Sequence, residues 1–273
     1  MSDLYGLDVY SPVEIARRIE SVGEAKARMA LLPLALLGVL AGAFIGLGAM
    51  LFVLVKSDAS LGFATSALLG GLVFSMGLLM VVVAGAELFT GNNLIIMAWA
   101  DGRIGAWQVL RNWVVVCLAN GVGAAALAVL VFASGHTDLH GGVVGQQVVK
   151  IAVAKQDLPF VTALVRGVLC NILVCMAVWM AMAGRTVVDK AAAVMLPVMA
   201  FVAAGFEHSI ANMYLMPLAM LVQQGSSTLT TLPPVTLSGT LGNLFPVILG
   251  NLLGGAVLVA GVYHIIYRRF AQV

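Results

Sequence analysis

The chain has 273 residues, 62% of them hydrophobic and 10% charged, with a net charge of +2 and a mean hydropathy of +1.06. That composition excludes a soluble domain, and so small and scattered a charge offers no footing for nucleic acid. Cys117, Cys170 and Cys175 all fall in apolar runs without a CxxC pair, so they read as buried small hydrophobes rather than redox or metal groups.

The first predicted element opens at Ser11-Pro12, with Glu14 three residues after the serine, a capping box with proline at the first helical position. Ile15, Ile19 and Val22 share one face, which predicts a short amphipathic helix along the membrane surface, within an N-terminal segment 1–30. Apolar spans follow at 31–55, 62–100, 106–133, 159–183, 191–222 and 241–267. They form a transport domain over 31–269, with a short tail at 270–273. The first begins only after a charged segment, so it reads as a span and not a cleaved signal peptide. An even number of spans puts both termini on one side. With that side cytoplasmic, ten Lys and Arg lie inside against Lys56, Lys150 and Lys155 outside, and Arg166 falls within the fourth span.

The second and fifth spans are too long. At ~1.5 Å per residue they would reach roughly 58 Å and 48 Å against a hydrocarbon thickness near 30 Å, so each must break or re-enter. Each also carries a polar window, AGAELFTGNN from Ala84 and AGFEHSIAN from Ala204. The two align through Ala-Gly-x-Glu-x4-Asn at an offset of 120, and LANGVG from Leu118 aligns with LGNLLG from Leu249 at an offset of 131. A three-span unit repeated once sits in the membrane in opposite senses, so the expected fold is an all-α inverted 3+3 repeat with two broken helices facing each other near mid-depth. Gly38, Gly42 and Gly46, and Gly250 with Gly254, have the spacing that lets helix backbones approach closely.

A helix that restarts inside the membrane points its positive dipole end at whatever occupies the site, and two such ends favour a small anion. His208 is the one histidine in a span core and is able to titrate near neutral pH. Thr90 offers a hydroxyl, Gly91 a flexible turn, and Asn171 an isolated amide in span four. Local helix hydrogen bonds are the competing reading for Thr90 and Asn171. Glu87 and Glu207, with Asn92 and Asn212 five residues on, are read as structural, the carboxylates accepting backbone N–H bonds at the breaks. His136-x-Asp138-x-His140 sits in an outer loop with too few ligands for a metal. No P-loop, nucleophile elbow or zinc-protease motif is present, so the sequence predicts neither an enzyme nor a cofactor.

The segments GAELFTGN, CNILVCMAVWMA and AGFEHSIANM resemble the formate/nitrite transporter family, and the likeness covers about Ser11 to Arg269. The resemblance implies an aquaporin-like fold, a homopentamer with a pore in each protomer, and small monovalent anions and protons as cargo. It also implies that Thr90, His208 and Asn171 line the central site, that Phe74, Leu78, Leu88 and Phe201 form apolar constrictions, and that Lys155 draws anions into the outer vestibule. Its motifs cover formate, nitrite and hydrosulfide members alike. The expected mechanism follows from desolvation. A bare anion meets a barrier on the order of tens of kcal/mol in an apolar constriction, whereas formate protonated at or through His208 crosses as formic acid. The rivals are a neutral-solute channel of aquaporin type, which would want NPA triplets absent here, a non-transporting scaffold, and a small-anion sensor with a blocked pore.

Overall fold

The computed structural model describes residues 9–225 and 232–269; the expected tail at 270–273 and the first eight residues of the N-terminal segment lie outside these. Among the described residues the chain is helical throughout, without strands. Helix α1 (Pro12–Arg28) begins at the capping box: the Ser11 side chain accepts from the Glu14 N–H, and the Glu14 carboxylate accepts from the Ser11 N–H at 2.8 Å. Its apolar face packs on protein rather than lying on lipid, with Ile15 and Ile19 against Leu94, Met97, Cys175 and Trp179. A periodic face in a sequence shows that something is covered, not what covers it. Fully buried Glu20 fastens the helix by accepting from Arg103 at 3.0 Å and Arg268 at 2.8 Å. Burial pushes its carboxyl above the usual range, against the opposing pull of Arg268.

Helices α2 (Leu31–Lys56) and α3 (Phe63–Ala84) come next, and α3 stops at Gly85, whose φ is 85°. The N–H groups of Gly85 and Ala86 both return to the Val81 carbonyl, at 3.1 and 3.0 Å, closing the helix with a left-handed residue that only glycine adopts without strain. The chain re-forms as a tight 3-10 turn over Gly91–Ile95 and a short α4 (Ile96–Ala100). Helices α5 (Ala106–Ala133), α6 (Val143–Gln156), α7 (Phe160–Ala183) and α8 (Val187–Ala203) follow. Helix α8 ends as α3 does, at Gly205 with φ 68°, and α9 (Ser209–Gly225) restarts after it. Helix α10 (Leu237–Leu252) runs on in wider turns through Leu253–Gly261. The expectation that Gly91 makes the turn needs correction: it opens the 3-10 turn without a positive φ, and the reversal has already been made at Gly85.

Helices α2, α3, α5, α7 and the stretch Leu237–Arg268 are long and apolar enough to cross a membrane; α8 and α9, flanking the second break, make up the fifth expected span. Helix α2 packs on α3 and α5, α7 packs on α8 and α10, and α3 meets α8 at the centre. The pieces beyond the breaks cross over, α9 onto α5 and the Gly91–Ile95 turn onto Leu253–Gly261. Gly42 lies against the Asn120 backbone and Gly250 against the Leu164 carbonyl, with no room for a Cβ at either place.

Candidate functional site

A helix interrupted in apolar surroundings exposes N–H and C=O groups that must find partners inside the protein. Two asparagines provide them. Asn120 Oδ1 accepts the Phe89 N–H at 2.9 Å, while its Nδ2 donates to the carbonyls of Gly38 (2.7 Å) and Glu87 (2.8 Å). Asn251 repeats this at the second break, accepting from the Ser209 N–H at 3.1 Å and donating to Gly167 (2.9 Å) and Glu207 (3.0 Å). The N–H of Glu87 returns to Leu37 and that of Glu207 to Arg166. These are the asparagines of the L-x-N-x-x-G repeat, whose recurrence the sequence displays without indicating what it holds.

The two carboxylates are also held alike. Glu87 accepts from Asn92 Nδ2 at 2.7 Å and from Lys26 Nζ at 2.9 Å. Glu207 accepts from Asn212 Nδ2 at 2.7 Å and from Lys155 Nζ at 2.8 Å. Asn92 and Asn212 are braced in turn by Asn112 (3.0 Å) and Asn243 (2.8 Å). The carboxylates therefore take side-chain cations and amides, not the backbone N–H bonds expected of them. A carboxylate at this depth requires a counter-charge, and the neutral asparagines are left to serve the backbone. Lys26 enters the sequence reading only as one of the ten basic residues counted inside, because it lies in α1, far along the chain from the break it serves. Lys155, which the resemblance makes an attractor of anions, is paired with Glu207.

At the tips of the breaks, Thr90 Oγ1 and His208 Nε2 lie 3.1 Å apart, both side chains buried. His208 Nδ1 accepts the Ala211 N–H at 3.2 Å. A neutral ring accepting at Nδ1 carries its proton on Nε2, so Nε2 donates to Thr90 and leaves the threonine hydroxyl proton available to a third group. The His208 ring stacks on Phe201, with centroids 5.9 Å apart, and Phe74 meets Phe201 edge-on at 5.8 Å. Asn171 touches Thr90 through the backbone, its two Nδ2 hydrogens shared among the Asn251 carbonyl at 2.6 Å, Asn93 Oδ1 at 3.0 Å and the Thr90 carbonyl at 3.2 Å.

Two cavities flank this contact, each of about 230 Å³. One lies beside Lys26 and Glu87 and includes Leu78 and Leu88 in its wall; the other lies beside Lys155 and Glu207 and includes Phe74, Phe201 and His208. All four expected constriction residues are buried, two on each side of the Thr90–His208 contact.

A multi-pass helical protein with a cavity beside each of two helix breaks falls in the class of membrane channels and transporters. The chain matches the formate/nitrite transporter family over residues 13–265. It is 36% identical to formate channel FocA of Escherichia coli K12, with 96% of each chain covered. It is 38% identical to formate channel FocA of Haemophilus influenzae, with 93% of each covered. A solved structure described as a pentameric formate channel with formate bound superposes with a TM-score of 0.82 at 36% identity, covering 87% of this chain and 98% of that one. The chain belongs to the formate/nitrite transporter family.

Proposed function

We propose that the protein carries small monovalent anions, formate foremost, across the cytoplasmic membrane, and that the anion takes up a proton at the centre of the pathway. The observation that carries this reading is the 3.1 Å contact between Thr90 and His208, with cavities nearby whose linings include Phe74 and Phe201 on one side and Leu78 and Leu88 on the other. Such walls oppose a bare charge and admit a neutral acid.

An anion arriving at this point accepts the free hydroxyl proton of Thr90 as a hydrogen bond. Its charge favours the imidazolium form of His208. Charging the ring means that Nδ1 exchanges the Ala211 N–H for a proton, at the positive end of α9, so the charged ring persists only while the anion is beside it. Passing the Nε2 proton through the Thr90 hydroxyl converts formate to formic acid and leaves the ring neutral with a proton on Nδ1. Loss of that proton to water and uptake of one from water at Nε2 restore the starting tautomer, so one proton from solution leaves with each formate. Asn171 holds the Thr90 carbonyl and thereby sets the hydroxyl's position.

In this reading the three-span halves are inserted in opposite senses, residues 31–269 form the transport unit, and both termini are cytoplasmic by the ten-to-three bias of basic residues. The assembly is a homopentamer, in keeping with the pentameric solved relative, and the protein has no catalytic role beyond moving a proton with its cargo. Nitrite is the second candidate cargo, since nitrous acid would pass the same walls. The test is flux into proteoliposomes with formate, nitrite, hydrosulfide and glycerol at two pH values. Saturable formate uptake that alkalinises the donor side is the expected result. Glycerol permeation without formate uptake would establish a neutral-solute channel in its place.

A further inference from the structure

The two cavities differ in fixed charge, and the difference is one residue that the mechanism above leaves unused. The charged residues lining the first are Lys26 and Glu87, paired at 2.9 Å. Those lining the second are Lys155 and Glu207, paired at 2.8 Å, together with Arg166. Arg166 is partly buried, and the residues three before and four after it, Ala163 and Cys170, are fully buried. That spacing places all three on one inward side of α7. At ~1.5 Å per residue, Arg166 stands roughly 9 Å inside the start of the helix. Among the described residues no carboxylate lies within ion-pair distance of its guanidinium. The duplicated frame identifies its counterpart as Leu37: the carbonyls of these two residues receive the N–H groups of Glu207 and Glu87. One half of the molecule therefore carries an apolar side chain where the other carries a permanent cation.

An arginine within a membrane helix is unfavourable without a partner and cannot escape by losing its proton. Its planar fork matches two oxygens of a small planar oxyanion, most directly a carboxylate. We propose that Arg166 is a binding residue for the transported anion, holding a small monovalent oxyanion in the Lys155-side cavity before it reaches His208. Lys155 is already paired with Glu207, which leaves Arg166 as the cation of this cavity without a carboxylate among the described residues. This rests on the transport reading above and adds a loading site to one side of the pathway only.

The test uses the full chain with Arg166→Leu, which copies the Leu37 side, together with Arg166→Lys and Arg166→Gln. Two quantities are measured: the half-saturation concentration for formate influx from the Lys155 side, and the rise in unfolding temperature caused by sodium formate over sodium chloride at equal ionic strength. Arg166→Leu is expected to raise the half-saturation concentration by about ten-fold or more and to remove the formate-specific stabilisation. Arg166→Lys, with the charge but not the fork, should recover only part of both. Half-saturation and stabilisation unchanged in the Leu variant would overturn the assignment, and if that variant does not fold, the same comparison is made with Arg166→Gln. A wild type that moves no formate sinks the transport reading alone, because formate-specific stabilisation needs no flux and still reports on Arg166.

Discussion

The two breaks share a frame and differ at the tip. Each is closed by a left-handed glycine, clamped by an asparagine from a neighbouring helix and flanked by a Lys–Glu–Asn–Asn chain. Yet the residue after the glutamate is Leu88 in the first break and His208 in the second, and Thr90 in the first stands where Ile210 stands in the second. What is repeated builds an interrupted helix; two of the positions that diverge supply the polar contact at the centre. Symmetry therefore separates scaffold from chemistry here, and each substitution below asks whether that separation holds.

The largest effects fall on the shared frame. Asn120→Leu and Asn251→Leu each orphan one buried N–H and two carbonyls, at about 1–3 kcal/mol apiece, so both variants should lose folded protein in thermal size-exclusion assays. Near-equal losses support equivalence of the two frames, and a wide gap breaks it. Next comes His208→Gln, expected to keep its unfolding temperature while proton-linked formate uptake drops about 100-fold, or about 2.7 kcal/mol of barrier. Intact proton co-movement in that variant would remove histidine from the mechanism. Thr90→Val should slow uptake about ten-fold, about 1.4 kcal/mol, and Ile210→Val, its repeat counterpart, should leave the rate nearly unchanged. The smallest effect belongs to the glycines. At both Gly85 and Gly205 a Cβ would meet no atom within 4 Å, so alanine at either costs only the positive φ, about 1 kcal/mol, read as a small and equal fall in melting temperature.

Much of the architecture is legible in the sequence. The excess length of two spans and the Ala-Gly-x-Glu-x4-Asn repeat locate both interruptions, and Ser11 with Glu14 locates the start of α1. The pairing within the breaks is harder to read. Glu87 and Glu207 look like backbone acceptors because a motif shows what is near in the chain, whereas Lys26 and Asn120 reach the Glu87 segment from other helices. Gly91 stands out as a glycine beside Thr90, although φ shows that the reversal belongs to Gly85. His208 and Thr90 are conspicuous as polar groups in apolar runs and the repeat implies that their breaks face each other, but the 3.1 Å distance between them is set by the packing of α3 on α8, which no local pattern encodes.

The crossing of α9 onto α5, and of the Gly91–Ile95 turn onto Leu253–Gly261, makes the halves mutually dependent. Each half satisfies the backbone of its own break through Asn120 or Asn251, but the piece beyond each break packs on the other half, so a fragment cut between them would expose those packing faces.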